Sequence, residues 1–200
     1  MDTLLQILAV LLSYLLGAIP FGLFFGRLFS NVDVRTFGSG NIGATNVLRA
    51  AGKKAAILTL LADALKGLVP VLLVKAIFQN DAITVLSGAA AILGHIFPLY
   101  LNFKGGKGVA TSYGVVIAVA PWIGFICLLV WVLVAYTWRY SSLSGLVAFA
   151  CYMALTFLAT SSVSKPYAFL SLFIFGMIYY RHRENIKRLL SGTEPKIGNH

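Results

Sequence analysis

Three short stretches of this chain carry residue types able to hold phosphate. The first, residues 38–46, reads GSGNIGATN. Gly38, Gly40 and Gly43 let the backbone approach a ligand closely. Ser39, Asn41, Thr45 and Asn46 supply short hydrogen-bonding side chains, and Arg49 adds a planar cationic fork. The same residues dominate tight turns, so a helix-capping turn competes with a phosphate or polyol cradle here. The second stretch, residues 103–112, reads FKGGKGVATS and sets Lys104, Gly105, Gly106 and Lys107 before a helix predicted to start near Val109. A helix N-terminus carries free N–H groups and partial positive charge, so two ammonium groups beside it suit an anion. The G-x-x-x-x-G-K-[ST] spacing of a nucleotide loop is absent. The competing reading is a basic connector that touches lipid headgroups.

The third stretch, residues 181–194, reads RHRENIKRLLSGTE. If it continues the helix before it, Arg181, Asn185 and Arg188 share a face, and His182 lies three residues from Asn185. His182 is the one side chain in this stretch whose ordinary pKa is near neutrality. A basic amphipathic helix lying in the membrane interface would show the same stripe. Ser142 follows Arg139 in a short turn, where its hydroxyl either caps the next helix or donates to a phosphate. His95, in LGHIFP, is either a structural residue or a catalyst, and Pro98 should kink or end its helix. Asp63 and Lys66 fall three apart in an apolar run, where each charge is costly, so they should pair or line a polar cleft.

The elements that must position these groups are membrane helices. Of the 200 residues 59% are hydrophobic and 11% are charged, against about 25% charged in soluble domains. Apolar runs near the spanning length of about 20 residues recur along the chain, and the first, over 3–26, reads as a retained helix rather than a signal peptide. Seven spans are predicted near 4–28, 55–78, 83–101, 109–120, 122–138, 143–159 and 167–180. Alternating sides gathers thirteen cations on one face: Arg27, Arg35, Arg49, Lys53, Lys54, Lys104, Lys107, Arg139, Arg181, Arg183, Lys187, Arg188 and Lys196. Only Lys75 and Lys165 fall on the other. The positive-inside bias then puts the N-terminus outside, the C-terminus in the cytoplasm, and all three stretches on the cytoplasmic face. The fold expected is an all-α integral membrane protein, a bundle of about seven transmembrane helices, with residues 1–200 forming a single domain. Cys127 and Cys151 lie in apolar runs as packing residues. The carboxylates on the cytoplasmic face, Asp33, Glu184 and Glu194, are too scattered to suggest a metal site, and no cofactor is expected.

Taken in order, GSGNIGATN, GHIFPLYLNFKGGKGVAT and RHRENIKRLLSGTE resemble the motifs of the acyl-phosphate:glycerol-3-phosphate acyltransferases of the PlsY type, over nearly the whole length. The resemblance implies a bacterial inner-membrane enzyme that moves a fatty acyl group from acyl phosphate to position 1 of glycerol 3-phosphate. The product would be lysophosphatidic acid, at the start of phospholipid synthesis. The resemblance carries over His182 and Asn185 as site residues; the residue chemistry adds Ser39 to them as catalytic candidates, and Asn41, Thr45, Asn46, Arg49, Lys104, Gly105, Gly106, Lys107, Ser142 and Arg181 as substrate-binding ones. His182 is then either a general base or a donor that fixes a phosphate, and the substrate phosphate is another acceptor for the hydroxyl proton. The partners implied are the two substrates, membrane lipids and the enzyme that makes acyl phosphate, with no nucleic acid. The competing classes are an anion transporter or channel using the glycine loops for selectivity, and a non-catalytic lipid-binding scaffold.

Overall fold

The computed structural model describes residues 3–159 and 164–198, and among these it is helical with no strand. The helices are α1 (Thr3–Gly17), α2 (Phe21–Ser30), α3 (Ala44–Phe78), α4 (Asp81–Ile96), α5 (Val109–Val119), α6 (Pro121–Trp138), α7 (Ser141–Leu158), α8 (Lys165–Arg181) and α9 (Arg183–Leu190). Short 3-10 turns at Val34–Thr36 and Leu99–Leu101 lie between them. Among the described residues, five helical segments are long and apolar enough to cross a membrane: Thr3–Ser30, Ala44–Phe78, Asp81–Leu101, Pro121–Trp138 and Ser141–Leu158. The predicted fourth and seventh spans correspond to the shorter helices α5, of 11 residues, and α8, of 17. At 1.5 Å per residue α5 rises only about 16 Å, half of a hydrocarbon core about 30 Å thick.

The chain divides into two compact units, Met1–Ala118 and Val119–His200. In the first, α3 wears its apolar residues outward. Ile57, Leu60, Leu61, Leu65, Leu72 and Leu73 are exposed, whereas Thr59, Asp63 and Lys66 are buried. That inversion suits lipid outside and a polar interior, because hydrocarbon offers helices no hydrophobic reason to associate. Small residues make the contacts instead. A Cβ on Gly17 would fall 2.1 Å from the Ala91 carbonyl oxygen, and one on Gly94 would fall 2.2 Å from that of Tyr14, so α1 and α4 cross nearly backbone to backbone. Around this crossing the Ser13 and Ser87 hydroxyls pair at 2.8 Å, and Tyr14 Oη donates to the Phe97 carbonyl at 2.8 Å. α5 docks on α3 in the same manner, with Gly67 against the Thr111 carbonyl and Gly114 against that of Ala64. Gly94→Val should therefore force the crossing apart, at a cost of about 1–3 kcal/mol, seen as an earlier unfolding midpoint in SDS titration.

The first apolar run, expected as one span, is long enough to cross as Thr3–Ser30 but is not one continuous helix. It breaks at residues 18–20, where Pro20 offers no N–H to continue α1, and α2 starts at Phe21. α3 also begins earlier than expected, as a helical arm over 44–51 that Gly52 interrupts at φ 82° and ψ 179° before the long helix proceeds. α4 ends at Ile96, just ahead of Pro98, as the proline implied.

In the second unit, α7 buries Ser142, Gly145, Phe149, Tyr152 and Thr156, and α8 buries Tyr167, Leu170, Ile174 and Ile178. Both series follow the spacing of one helical face. Tyr179 Oη of α8 donates to the Leu146 carbonyl of α7 at 3.3 Å. α8 does not run on into the basic stretch: His182 breaks the helix at φ −100° and ψ 6°, and α9 starts at Arg183. Arg181 thus belongs to a different helix from Asn185 and Arg188, and the continuous register expected for them does not form.

Candidate active site

In the first unit, residues 38–46 cross the end of α2, whose glycines leave room for them. A Cβ on Gly22 would overlap the Ile42 carbonyl, and one on Gly26 would lie 2.6 Å from Val34 Cγ1. Val34, Ile42 and Val47 form a small core with Leu23, and Leu101, three residues before Lys104, packs against it. The loop is shaped by its own asparagines. Asn46, 2% exposed, accepts the Ser39 N–H at 3.0 Å and donates to the Val34 carbonyl at 2.7 Å. Asn41 Oδ1 accepts the Gly43 N–H at 2.8 Å. Gly38 and Gly40 take φ of 53° and 67°, the left-handed region that favours glycine. These bonds account for much of Asn46 and Asn41. Ser39 and Thr45 are exposed, and the half-buried Arg49 forms no ion pair with a described carboxylate. Nearby, Asp33 caps the Val34–Thr36 turn and grips Arg35 at 2.6 Å, with Arg27 at 3.7 Å. The Arg35 hydrogen bonds hold the Asp33 carboxyl at about 2.

The 104–108 loop sits on the end of α4. Gly105 N–H donates to the Ile96 carbonyl and Gly106 N–H to that of His95, both at 3.1 Å, which satisfies two carbonyls left over at the helix terminus. The Lys104 side chain is exposed, Lys107 is half-buried, and Gly108 turns the chain at φ 88° into α5. The glycines are required by close approach: a Cβ on Gly106 would lie 2.0 Å from His95 Nε2.

In the second unit, three polar residues meet on Glu194. Ser142 Oγ donates to Oε1 at 2.5 Å, Asn185 Nδ2 to Oε1 at 2.6 Å, and Arg188 Nε to Oε2 at 2.8 Å. Gly192, at φ 71°, reverses the chain after α9, and the Thr193 and Glu194 N–H groups both cap the Arg188 carbonyl. Burial pushes the Glu194 carboxyl up, but the hydrogen bonds from Ser142, Asn185 and Arg188 outweigh it and hold it below the usual 4.5. The sequence reading missed this role. Its signals were a lone carboxylate six residues after Arg188 and the Ser191-Gly192 turn between them. His182, 2% exposed, has Nδ1 at 2.8 Å from the Ile178 carbonyl. A carbonyl can only accept, so Nδ1 carries the proton and Nε2 is the acceptor nitrogen of the neutral ring. Arg181 is half-buried at the end of α8. Each unit therefore presents its own polar cluster, one cationic and glycine-rich, the other built on Glu194 with Ser142, Asn185 and Arg188.

The chain matches the glycerol-3-phosphate acyltransferase family profile over residues 7–192. It is 51% identical over 188 residues to the glycerol-3-phosphate acyltransferase of Dinoroseobacter shibae, covering 94% of this chain and 91% of that one. It is 50% identical over 192 residues to that of Caulobacter vibrioides, covering 96% and 87%. Among solved structures it is similar to PlsY (YgiH), an integral membrane glycerol 3-phosphate acyltransferase, at 42% identity. The glycerol 3-phosphate form matches with a TM-score of 0.91 over 96% of both chains, and the lysophosphatidic acid form with 0.89 over 96% of this chain and 95% of that one. With the family profile matched over residues 7–192 and the fold shared, this chain belongs to the glycerol-3-phosphate acyltransferase family and is an acyltransferase.

Proposed function

We propose that this chain transfers a fatty acyl group from acyl phosphate to position 1 of glycerol 3-phosphate, releasing lysophosphatidic acid and inorganic phosphate. The observation that carries the reading is the seating of the 104–108 loop. The Gly105 and Gly106 amides tie the loop that carries the two lysines to the end of α4, in a chain 42% identical to a protein solved with glycerol 3-phosphate and with lysophosphatidic acid. Both reactants are phosphate anions, so their encounter needs dense positive charge. Lys104, Lys107, Arg49 and Arg181 supply it, with the side chains of Ser39, Asn41 and Thr45 as further donors, while Gly105 and Gly106 spend their N–H groups seating the loop on α4. Asn46 shapes the first loop.

Acyl phosphate is a mixed anhydride with a good leaving group, so no protein nucleophile is needed. The glycerol hydroxyl oxygen attacks the acyl carbon, a new C–O bond forms, and the bond to the phosphate oxygen breaks with its electron pair leaving on phosphate. His182 Nε2 accepts a hydrogen bond from the hydroxyl and so orients the attacking oxygen, and as the ester forms the proton passes to that nitrogen or to a substrate phosphate oxygen. Ser142 and Asn185, held by Glu194, keep the surrounding backbone in place. Orientation and charge neutralisation supply most of the rate. The distribution of cations supports a seven-span path through a bacterial inner membrane, multi-pass, with the reaction on the cytoplasmic face. The enzyme that makes acyl phosphate is the partner such a donor requires.

A donor panel tests the reading. Purified protein given glycerol 3-phosphate should form lysophosphatidic acid from acyl phosphate and not from acyl-CoA or acyl carrier protein; equal use of the thioesters would refute the donor assignment. Lys104→Ala should raise KM for a phosphate substrate about tenfold, the value of one charge-assisted contact. Steady-state kinetics with each substrate varied in turn would show which.

A further inference from the structure

Beneath the 104–108 loop lies a buried ionic cluster that the transfer step itself does not use. Asp63 and Lys66, one turn apart on α3, pair at 2.7 Å with each side chain 4% exposed. Lys66 Nζ also donates to the Ile19 carbonyl at 2.8 Å, at the break between α1 and α2. From α4, His95 Nδ1 stands 3.7 Å from Asp63 Oδ1, with its side chain 3% exposed. Burying an ion pair is costly, and apolar residues of the same size usually serve packing as well or better. The cluster's position suggests what it does instead.

His95 carries the loop at two levels. Its carbonyl accepts the Gly106 N–H at 3.1 Å. A Cβ on Gly105 would lie 2.1 Å from that carbonyl oxygen, and one on Gly106 would lie 2.0 Å from the ring Nε2. The ring is therefore a floor for Gly106, and Asp63 faces the opposite edge of that ring. With no slack between ring and loop, a small rotation of His95 moves the backbone that joins Lys104 to Lys107.

We infer that Asp63, Lys66 and His95 are positioning residues, which fix the 104–108 loop and so set affinity for a phosphate-bearing substrate without touching it. The inference rests on the reading above that this loop holds phosphate. Lys66 anchors Asp63 and ties it to the α1–α2 break, Asp63 orients the imidazole, and the imidazole holds the glycines.

The test joins hydrogen exchange to kinetics on the full chain in detergent or lipid. His95→Gln, Asp63→Asn and the charge-free pair Asp63→Asn/Lys66→Met should each speed exchange at the Gly105 and Gly106 amides about tenfold or more. Exchange in the α1–α4 crossing should stay at the wild-type rate. The same variants should raise KM for one phosphate substrate about tenfold with kcat within about threefold. Unchanged loop exchange, or a fall in kcat at constant KM, would overturn the proposal. A variant that fails to fold is replaced by an approach from the loop side. Gly106→Ala clashes with the ring, and His95→Ala removes the clash. If His95 only fills space, the Gly106→Ala/His95→Ala protein regains wild-type KM and the proposal fails; if the polar ring positions the loop, KM stays raised. Lys104→Ala separates the two levels. Wild-type KM for both substrates in that variant refutes phosphate binding by the loop, whereas the exchange rates still report whether His95 fixes it.

Discussion

His182→Ala lowers kcat about a hundredfold or more, the range of a lost general base or hydroxyl-orienting group, while the protein still inserts and folds with an unfolding midpoint lowered by the lost buried ring. The expectation follows from the ring's setting. His182 lies at the break between α8 and α9, 2% exposed, and gives its Nδ1 proton to the Ile178 carbonyl. That bond fixes the tautomer and makes Nε2 the basic nitrogen of the ring. His182→Gln and the pH profile divide the two roles open to the ring. An amide keeps a polar contact but cannot take up a proton. Substantial turnover in His182→Gln, with the acid limb of the pH–rate profile unchanged, assigns orientation. Loss equal to that of alanine, with the limb gone, assigns proton acceptance. Wild-type kcat in His182→Ala would remove the residue from the site.

Glu194→Ala is expected to destabilise the protein by about 3 kcal/mol, because it leaves polar groups without their buried partner. Ser142 Oγ, Asn185 Nδ2 and Arg188 Nε all end on this one carboxylate. Arg188 is 40% exposed and can turn to water, so the loss falls chiefly on Ser142 and Asn185. Glu194→Gln should cost less, since its carbonyl oxygen still accepts from those two while its amide opposes Arg188. Acid should erase the difference. The folded carboxyl titrates below its unfolded value of 4.5, so its stabilisation is complete above that value and disappears as pH falls through the folded one. Unfolding midpoints of wild type and Glu194→Gln should therefore converge under acid and separate at neutral pH. Equal midpoints at neutral pH would contradict the hub.

Much of the site was legible before any coordinates. The glycine loops, the lysine pair and the His182–Asn185 stretch stand out as candidates because the proposed phosphate binding would restrict residue type over a short span. The Asp63–Lys66 pair and the end of α4 before Pro98 follow from local rules, the cost of charge in lipid and the missing proline N–H. What escaped depends on distant contacts or on breaks that hydropathy cannot register. Residues 18–20 are as apolar as their neighbours, so the division between α1 and α2 hides inside one oily run. The helical arm over 44–51 is bounded only by Gly52, whose φ of 82° is not visible from composition. His182 interrupts a segment that has good helical spacing on both sides. Glu194 gains its role only because Gly192 turns the chain back over α9. His95 reads as a lone histidine until Gly106 is placed on its ring.

Product accounting tests the proposed reaction most directly. Purified protein alone, supplied with acyl phosphate and glycerol 3-phosphate, should yield lysophosphatidic acid and inorganic phosphate in equal amounts, and neither when glycerol 3-phosphate is withheld. Phosphate and free fatty acid released without lysophosphatidic acid, or uptake of a labelled anion by proteoliposomes with no transfer at all, would contradict it.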